Sequence, residues 1–273
     1  MYQLILSDLD ETLLVNHHVP EYNQKAIEKL KEKNVKFVPA TGRAYNMIPE
    51  ILKEIGTYEE AGQYSICYNG GLIVENKNNH ILRFEGLSFE ETKAIFDAGK
   101  DLDVCVMIFT LDCCYIFHAD PDEVARKTAQ KAPFQVVEEY DMEFIRGQKI
   151  AKIIYEKRDM DYLLAIGDQL KDMAEGRFAL SYSSYRYLEF NPIGVSKGAA
   201  LNWLAEYLNI NISKTIAIGD NYNDISMIEA AGLGVCVAGG DEFVKGIADY
   251  VTEVDYDQGA VKEVIDKFVL EEK

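Results

Sequence analysis

Short, continuous apolar runs alternate with amphipathic stretches along the first eighty residues. Residues 3 to 7 form one such run, and VKFVPA and YSICYN repeat it. Between them, Ala26, Ile27 and Leu30 fall on one face of a helix expected over 21 to 33, with Asn34 placed to end it. A second helix is expected over 43 to 55, interrupted by Pro49 and closed by Gly56. Uniformly apolar strands separated by helices of this length predict βαβ units and a parallel sheet.

The texture then changes. LIVENKNNHILRF reads as two strands around a turn at Asn76 to Asn79. From about residue 88 the order is helix (SFEETKAIFDAG), two strands (VCVMIFT, CYIFHA), helix (PDEVARKTAQKA), strand (KIAKIIYEK), helix (MDYLLAIGDQLKDMA) and two strands (RFALSYSS, RYLEF). Alternation returns after Pro192 with KGAALNWLAEYL, TIAIGD, NDISMIEAAG, GVCVA, DEFVKGIADYV and a terminal helix from about 259. The expected organisation is therefore a discontinuous α/β core, residues 1–83 and 189–273, carrying an inserted α+β domain over 84–188.

Composition narrows the function. With 46 acidic against 28 basic residues the formal charge is −18, which disfavours nucleic acid and anionic membranes as partners. No stretch approaches the roughly 18 apolar residues of a membrane span, and the N-terminus lacks the pattern of a signal peptide, so a cytoplasmic protein is expected. The five cysteines form no CxxC pair and suggest neither a disulfide framework nor a zinc site. An anionic substrate would need a local positive centre.

Polar clusters sit where strands end or helices begin: Asp8-Leu9-Asp10-Glu11-Thr12, Thr41, Lys197, and Gly219 to Asp224. The C-terminal edge of a parallel sheet is where open α/β folds bind ligands. Two unit charges about 4 Å apart repel by roughly 4 kcal/mol at an effective dielectric near 20, so crowded acids need compensation. A hard divalent cation supplies it: Mg2+ takes one or two carboxylates plus a substrate phosphate, and Asp8 and Asp220 suit that role. Phosphoryl transfer further needs an in-line nucleophile, a proton carrier, and donors for the equatorial oxygens.

In these motifs and their order the chain resembles the haloacid dehalogenase (HAD) superfamily, in particular the Cof-type phosphatases with a type IIB cap. DxDxT ends the first strand, Thr41 ends the second, Lys197 lies in GVSKG, and GDNYND ends a later strand. The resemblance implies a Rossmannoid core with a cap that closes over a small phosphorylated metabolite, with sugar phosphates leading. It implies Asp8 as nucleophile and metal ligand, Asp10 as general acid and base with its backbone carbonyl on the metal, and Asp220 as the second carboxylate ligand of Mg2+. Thr41, Gly42 and Lys197 would hold the phosphoryl group, Asn223 would contact it, Asp224 would orient Lys197 or a metal-bound water, and Asn69 would face the substrate. Arg43, Tyr185 and Arg186 are further candidates for substrate contact.

The chain departs from the family pattern at Glu11, where glycine is commoner and where the chemistry does not require it, and at Ala238 to Asp241. Pro49 is a third departure, expected at most to kink its helix. Taken singly, each cluster is an ordinary turn or cap, and Glu11 is expected to be solvated. The alternatives are a phosphotransferase or hexose-phosphate mutase on the same scaffold, and a binding or regulatory protein without turnover.

Overall fold

In a computed structural model of the chain, residues 1–130 and 132–271 are described. Lys131, inside the helix expected over residues 121 to 132, and the last two residues lie outside the described residues. Two compact units result: 1–84 with 195–273, and 85–194.

The first unit begins with β1 (Leu4–Ser7), α1 (Glu21–Glu32), β2 (Lys36–Pro39), α2 (Pro49–Glu54), β3 (Tyr64–Cys67), β4 (Leu72–Glu75) and β5 (His80–Phe84). In the second unit follow α3 (Phe89–Gly99), β6 (Cys105–Thr110), β7 (Cys114–Phe117), α4 (Pro121–Ala129), β8 (Phe134–Val136), β9 (Ile150–Glu156), α5 (Met160–Gln169), α6 (Lys171–Ala174), β10 (Phe178–Ser183) and β11 (Tyr187–Pro192). The first unit resumes with α7 (Lys197–Tyr207), β12 (Thr215–Gly219), α8 (Ile225–Ala230), β13 (Leu233–Cys236), α9 (Glu242–Ile247), β14 (Tyr250–Val251) and α10 (Ala260–Ile265).

Five strands of the first unit form a parallel sheet in the order β14-β13-β12-β1-β2. Every residue of β1 and β12 is buried, as a central parallel strand covered on both faces requires. A parallel bridge between Ala40 and Ile66 brings the antiparallel β3-β4-β5 sheet beside β2. Leu4, Leu6, Val38 and Ala217 pack against Ala200, Leu201 and Leu204 of α7, which fixes the start of that helix against the sheet.

The second unit is one six-stranded sheet, β10-β11-β9-β6-β7-β8. Ile95 and Phe96 of α3 and Leu163 and Ile166 of α5 pack on Val106, Ile108, Ile153, Tyr155, Leu188 and Phe190. The Tyr155 hydroxyl donates to the Ile95 carbonyl, satisfying the polar tip of a fully buried ring.

Two expectations shift. The unit boundary lies at 194/195 and not at 188/189, because β11 is paired on both sides, with β10 and β9, and cannot be divided. Pro49 does not kink a longer helix: it is the first residue of α2, where its fixed φ and missing N–H are tolerated. The preceding turn, Tyr45–Met47, is a separate 3-10 helix.

Candidate active site

The C-terminal ends of β1, β2 and β12 converge on the start of α7. Ser196 caps that helix by accepting the Ala199 N–H, so Lys197 occupies the first helical position with no exposed surface. Its Nζ donates to Asp8 Oδ1 at 2.5 Å and to Asp224 Oδ1 at 2.6 Å.

Asp224 is consumed by this framework. Its second oxygen accepts the backbone N–H groups of Asp220 and Asn221 at 3.0 and 3.1 Å. That closure needs glycine at the end of β12, since a Cβ on Gly219 would lie 2.4 Å from Cβ and Cγ of Asp224. A second close approach fixes the helix start: a Cβ on Gly70, whose φ is +106°, would lie 2.2 Å from the Ser196 carbonyl oxygen.

Asp8, Asp220 and Asp224 each place a carboxylate oxygen within 4.8 Å of the others, and all three are buried. Asp220 Oδ1 accepts from the hydroxyl of Thr12, which is itself fully buried, at 2.8 Å. Lys197 takes one oxygen of Asp8 and Thr12 takes one of Asp220, leaving each a second oxygen for a ligand. Three carboxylates face one ammonium here, a donor set of hard oxygens with uncompensated negative charge. That composition fits a divalent metal.

The imbalance appears in the protonation equilibria. Burial pushes Asp8 well above the carboxylate range; Lys197 opposes this, and the charges of Asp224 and Asp220 add to it. Asp220 rises to about 7, chiefly through burial and then through Asp224, against the Thr12 hydrogen bond and Lys197. Burial would lower Lys197, but Asp224 and Asp8 hold it above its ordinary value.

A polar rim adjoins the cluster. Thr41 is buried, donating its N–H to the Ile66 carbonyl and accepting that of Asn69 on its own carbonyl. Asn69, at φ +54°, packs its amide near Gly42 and accepts from Asn223 Nδ2 at 3.4 Å. Thr41, Gly42, Asn69 and Asn223 are thereby brought together from three separate segments.

Asp10 stands apart from the buried cluster. Its side chain is 54 % exposed, and both oxygens accept from Arg43: Nε to Oδ2 at 2.9 Å and Nη2 to Oδ1 at 2.5 Å. Arg43 thus holds a carboxylate, where phosphate contact was one expectation for it. Tyr185 is 90 % exposed in the β10–β11 turn, and Arg186 Nη1 lies 3.7 Å from the buried Glu123 of α4, within the second unit. Sequence reasoning passed over Thr12, although its place in DxDxT signals a hydroxyl at the turn after β1.

Glu11 is exposed, as its composition suggests, but its φ is +58°. This is the left-handed region that costs a side-chain-bearing residue roughly 1–2 kcal/mol. The backbone at this position therefore favours glycine, a demand separate from the chemistry.

A parallel sheet with a carboxylate-rich site at its C-terminal edge, centred on a buried lysine, defines an α/β enzyme that handles anionic groups. The model of the haloacid dehalogenase-like hydrolases matches residues 5–265, and the chain belongs to that family. Among its relatives, the "Putative phosphatase YxeH" of Bacillus subtilis is 30% identical over 275 residues, 99% of each chain. A "Phosphoglycolate phosphatase" of Methanosarcina acetivorans is 28% identical, with 96% of this chain and 95% of that one covered. A solved haloacid dehalogenase-like hydrolase from Bacteroides thetaiotaomicron superposes with a TM-score of 0.88 at 26% identity, covering 98% and 99% of the two chains. The HAD subclass IIB sugar phosphatase BT4131 shares the fold, with a TM-score of 0.81 at 19% identity over 98% and 100% of the chains.

Two predictions follow from the geometry. Glu11→Gly relieves the left-handed strain and raises stability by about 1 kcal/mol, read as an upward shift in melting temperature; an unchanged or lower value would contradict the strain. In metal-free protein the folded state binds more protons at Asp220 than the unfolded chain does between about pH 4 and 7. Stability is therefore greatest at the acid end of that window and falls as pH rises through it, by roughly 4 kcal/mol for this group. Thermal unfolding in EDTA should show that fall, and Asp220→Asn should flatten it.

Proposed function

We propose that the chain is a Mg2+-dependent phosphatase of small phosphorylated metabolites that works through an aspartyl-phosphate. The observation that supports this most directly is Lys197, fully buried between Asp8 and Asp224 with Asp220 alongside. A solvated lysine at a helix start does not acquire two buried carboxylate partners from separate segments unless the fold is arranged around it.

In this reading Asp8 attacks phosphorus as the bond to the leaving oxygen breaks, and Asp10 donates a proton to that oxygen. Asp10 then takes a proton from water, the water oxygen bonds to phosphorus, and the bond to Asp8 breaks to release inorganic phosphate. Asp8, Asp220 and the Asp10 backbone carbonyl would hold Mg2+. Bound there, the cation supplies the positive charge that offsets the carboxylates and the phosphate oxygens. Thr41, Gly42, Lys197 and Asn223 would hold the transferring group, with Asn69 at its edge and Asp224 fixing Lys197.

Substrate identity is a separate matter. Relatives of comparable identity carry names as different as "Phosphoglycolate phosphatase" and, at 26% identity in Yersinia pseudotuberculosis, "HMP-PP phosphatase". We therefore assign the class of small phosphorylated metabolites, with sugar phosphates the first to test. Release of inorganic phosphate across sugar, nucleotide and cofactor phosphates, with and without Mg2+, should be metal-dependent and need no acceptor. Turnover without metal, or transfer to a sugar hydroxyl without free phosphate, would sink the reading. Asp8→Asn should fold and lose at least about a thousandfold in turnover.

The fork between Arg43 and Asp10 gives this scheme a further handle. A half-exposed carboxylate is free to rotate, and the bidentate guanidinium restricts it to one orientation. Arg43 is then a positioning residue for the proton carrier. Arg43→Met should slow alkyl phosphates about tenfold more than para-nitrophenyl phosphate, whose leaving group needs little protonation. Equal slowing of both substrates would mean that Arg43 does not act through Asp10.

A further inference from the structure

At the end of the parallel sheet opposite the catalytic residues lies a cavity of about 480 Å³. The last turns of α1, the start of β2 and the segment after α2 border it, and one side is open to solvent. Ile27, Val35, Phe37 and Ile55, all buried, form an apolar floor. The depression is about half open to solvent, with an apolar floor and polar groups at its edge, the general pattern of small-molecule sites.

Three polar groups border the floor: Lys31, which is exposed, Lys36, which is half-buried with its Nζ 5.5 Å from the Tyr64 ring centroid, and the buried Thr57. Lys31 and Lys36 line the cavity, and their Nζ atoms donate to the carbonyl oxygens of Gly56 and Gly62 at 3.1 and 2.8 Å. Among the described residues neither has a carboxylate partner, although the chain carries 46 acidic side chains to 28 basic ones. A neutral carbonyl occupies one of the three donors of each ammonium and neutralises no charge. Thr57, also in the lining, is 2 % exposed, and its hydroxyl has no hydrogen-bond partner. A buried polar atom without a partner is uncommon and points to a group that completes it.

We propose that this cavity is a second binding site, for a small organic anion whose apolar body rests on the Ile27–Phe37–Ile55 floor and whose charged head lies between Lys31 and Lys36. Against the net negative field of the chain, two unneutralised ammoniums flanking one concave surface select an anion, and the floor excludes a bare inorganic ion as the preferred occupant. Nothing in the chemistry of Asp8, Asp220 or Lys197 draws on this site. It stands or falls separately from phosphatase activity.

Anilinonaphthalene sulfonate has an anionic head on an apolar body and reports its own burial by fluorescence. Titrated into the full chain with Mg2+ and excess inorganic phosphate present, it should fill one saturable site. The double variant Lys31→Ala, Lys36→Ala should bind it at least about tenfold more weakly, while Lys31→Arg, Lys36→Arg should keep near wild-type affinity. Circular dichroism and phosphate release would verify that both variants are folded. Equal binding by the double alanine variant, or a dye affinity much higher in a parallel titration without phosphate, would overturn the proposal.

Discussion

The catalytic unit is organised around one buried ammonium. Lys197 has no exposed surface and draws one carboxylate from the end of β1 and another from the turn that leads into α8. Taking three charges out of water costs several kcal/mol each, and the attraction among them offsets this only with close contacts and complete hydrogen bonding. The close contacts are present at 2.5 and 2.6 Å. Completion comes from the backbone, where two N–H groups satisfy the far oxygen of Asp224. Glycine at 219 and at 70 follows from the same demand, because any side chain there would force the lysine and its partners apart.

The arrangement divides the three buried acids by role. Asp224 spends both oxygens on the framework and is a structural anchor, even though it lies within 4.8 Å of the other two. Asp8 and Asp220 each keep an oxygen in reserve, and both sit above the usual carboxylate range because burial and mutual repulsion exceed what one lysine offsets. The framework is thus balanced at Asp224 and in deficit at Asp8 and Asp220. A cation would be drawn to that side and would in turn offset an incoming phosphate, so electrostatic strain and ligand preference have one cause.

How much of this was legible in the sequence follows from what each residue type encodes. Apolar runs ending in polar clusters identified the strands and put Asp8, Thr41 and Asp220 on one sheet edge, because parallel strands alternating with helices share their C-terminal ends; the strand order itself was not legible. Lys197 was legible as a helix opener. What pattern could not supply was side-chain direction and backbone sign. The turn of Asp10 toward Arg43, the positive φ of Glu11 and the Thr12 bond to Asp220 depend on packing between distant segments. The end of the insertion was not legible to the residue: RYLEF was placed in it, and only the pairing of Tyr187–Pro192 with β9 and β10 shows how far that strand extends.

That boundary bears on how such a protein changes its substrate. The chain leaves the catalytic unit after Phe84 and re-enters it at Val195, two residues before Lys197. A lysine so close to the re-entry point would be sensitive to anything built into the insertion, were its position not fixed locally. Ser196 caps the helix, the Gly70 backbone packs against the Ser196 carbonyl, and the Gly198 N–H is held by Ser226. All three restraints come from the catalytic unit itself. The position of the ammonium, 2.5 and 2.6 Å from its two carboxylates, is thus set within the unit that contains it. Local anchoring leaves the buried charge independent of the path the chain takes through the insertion.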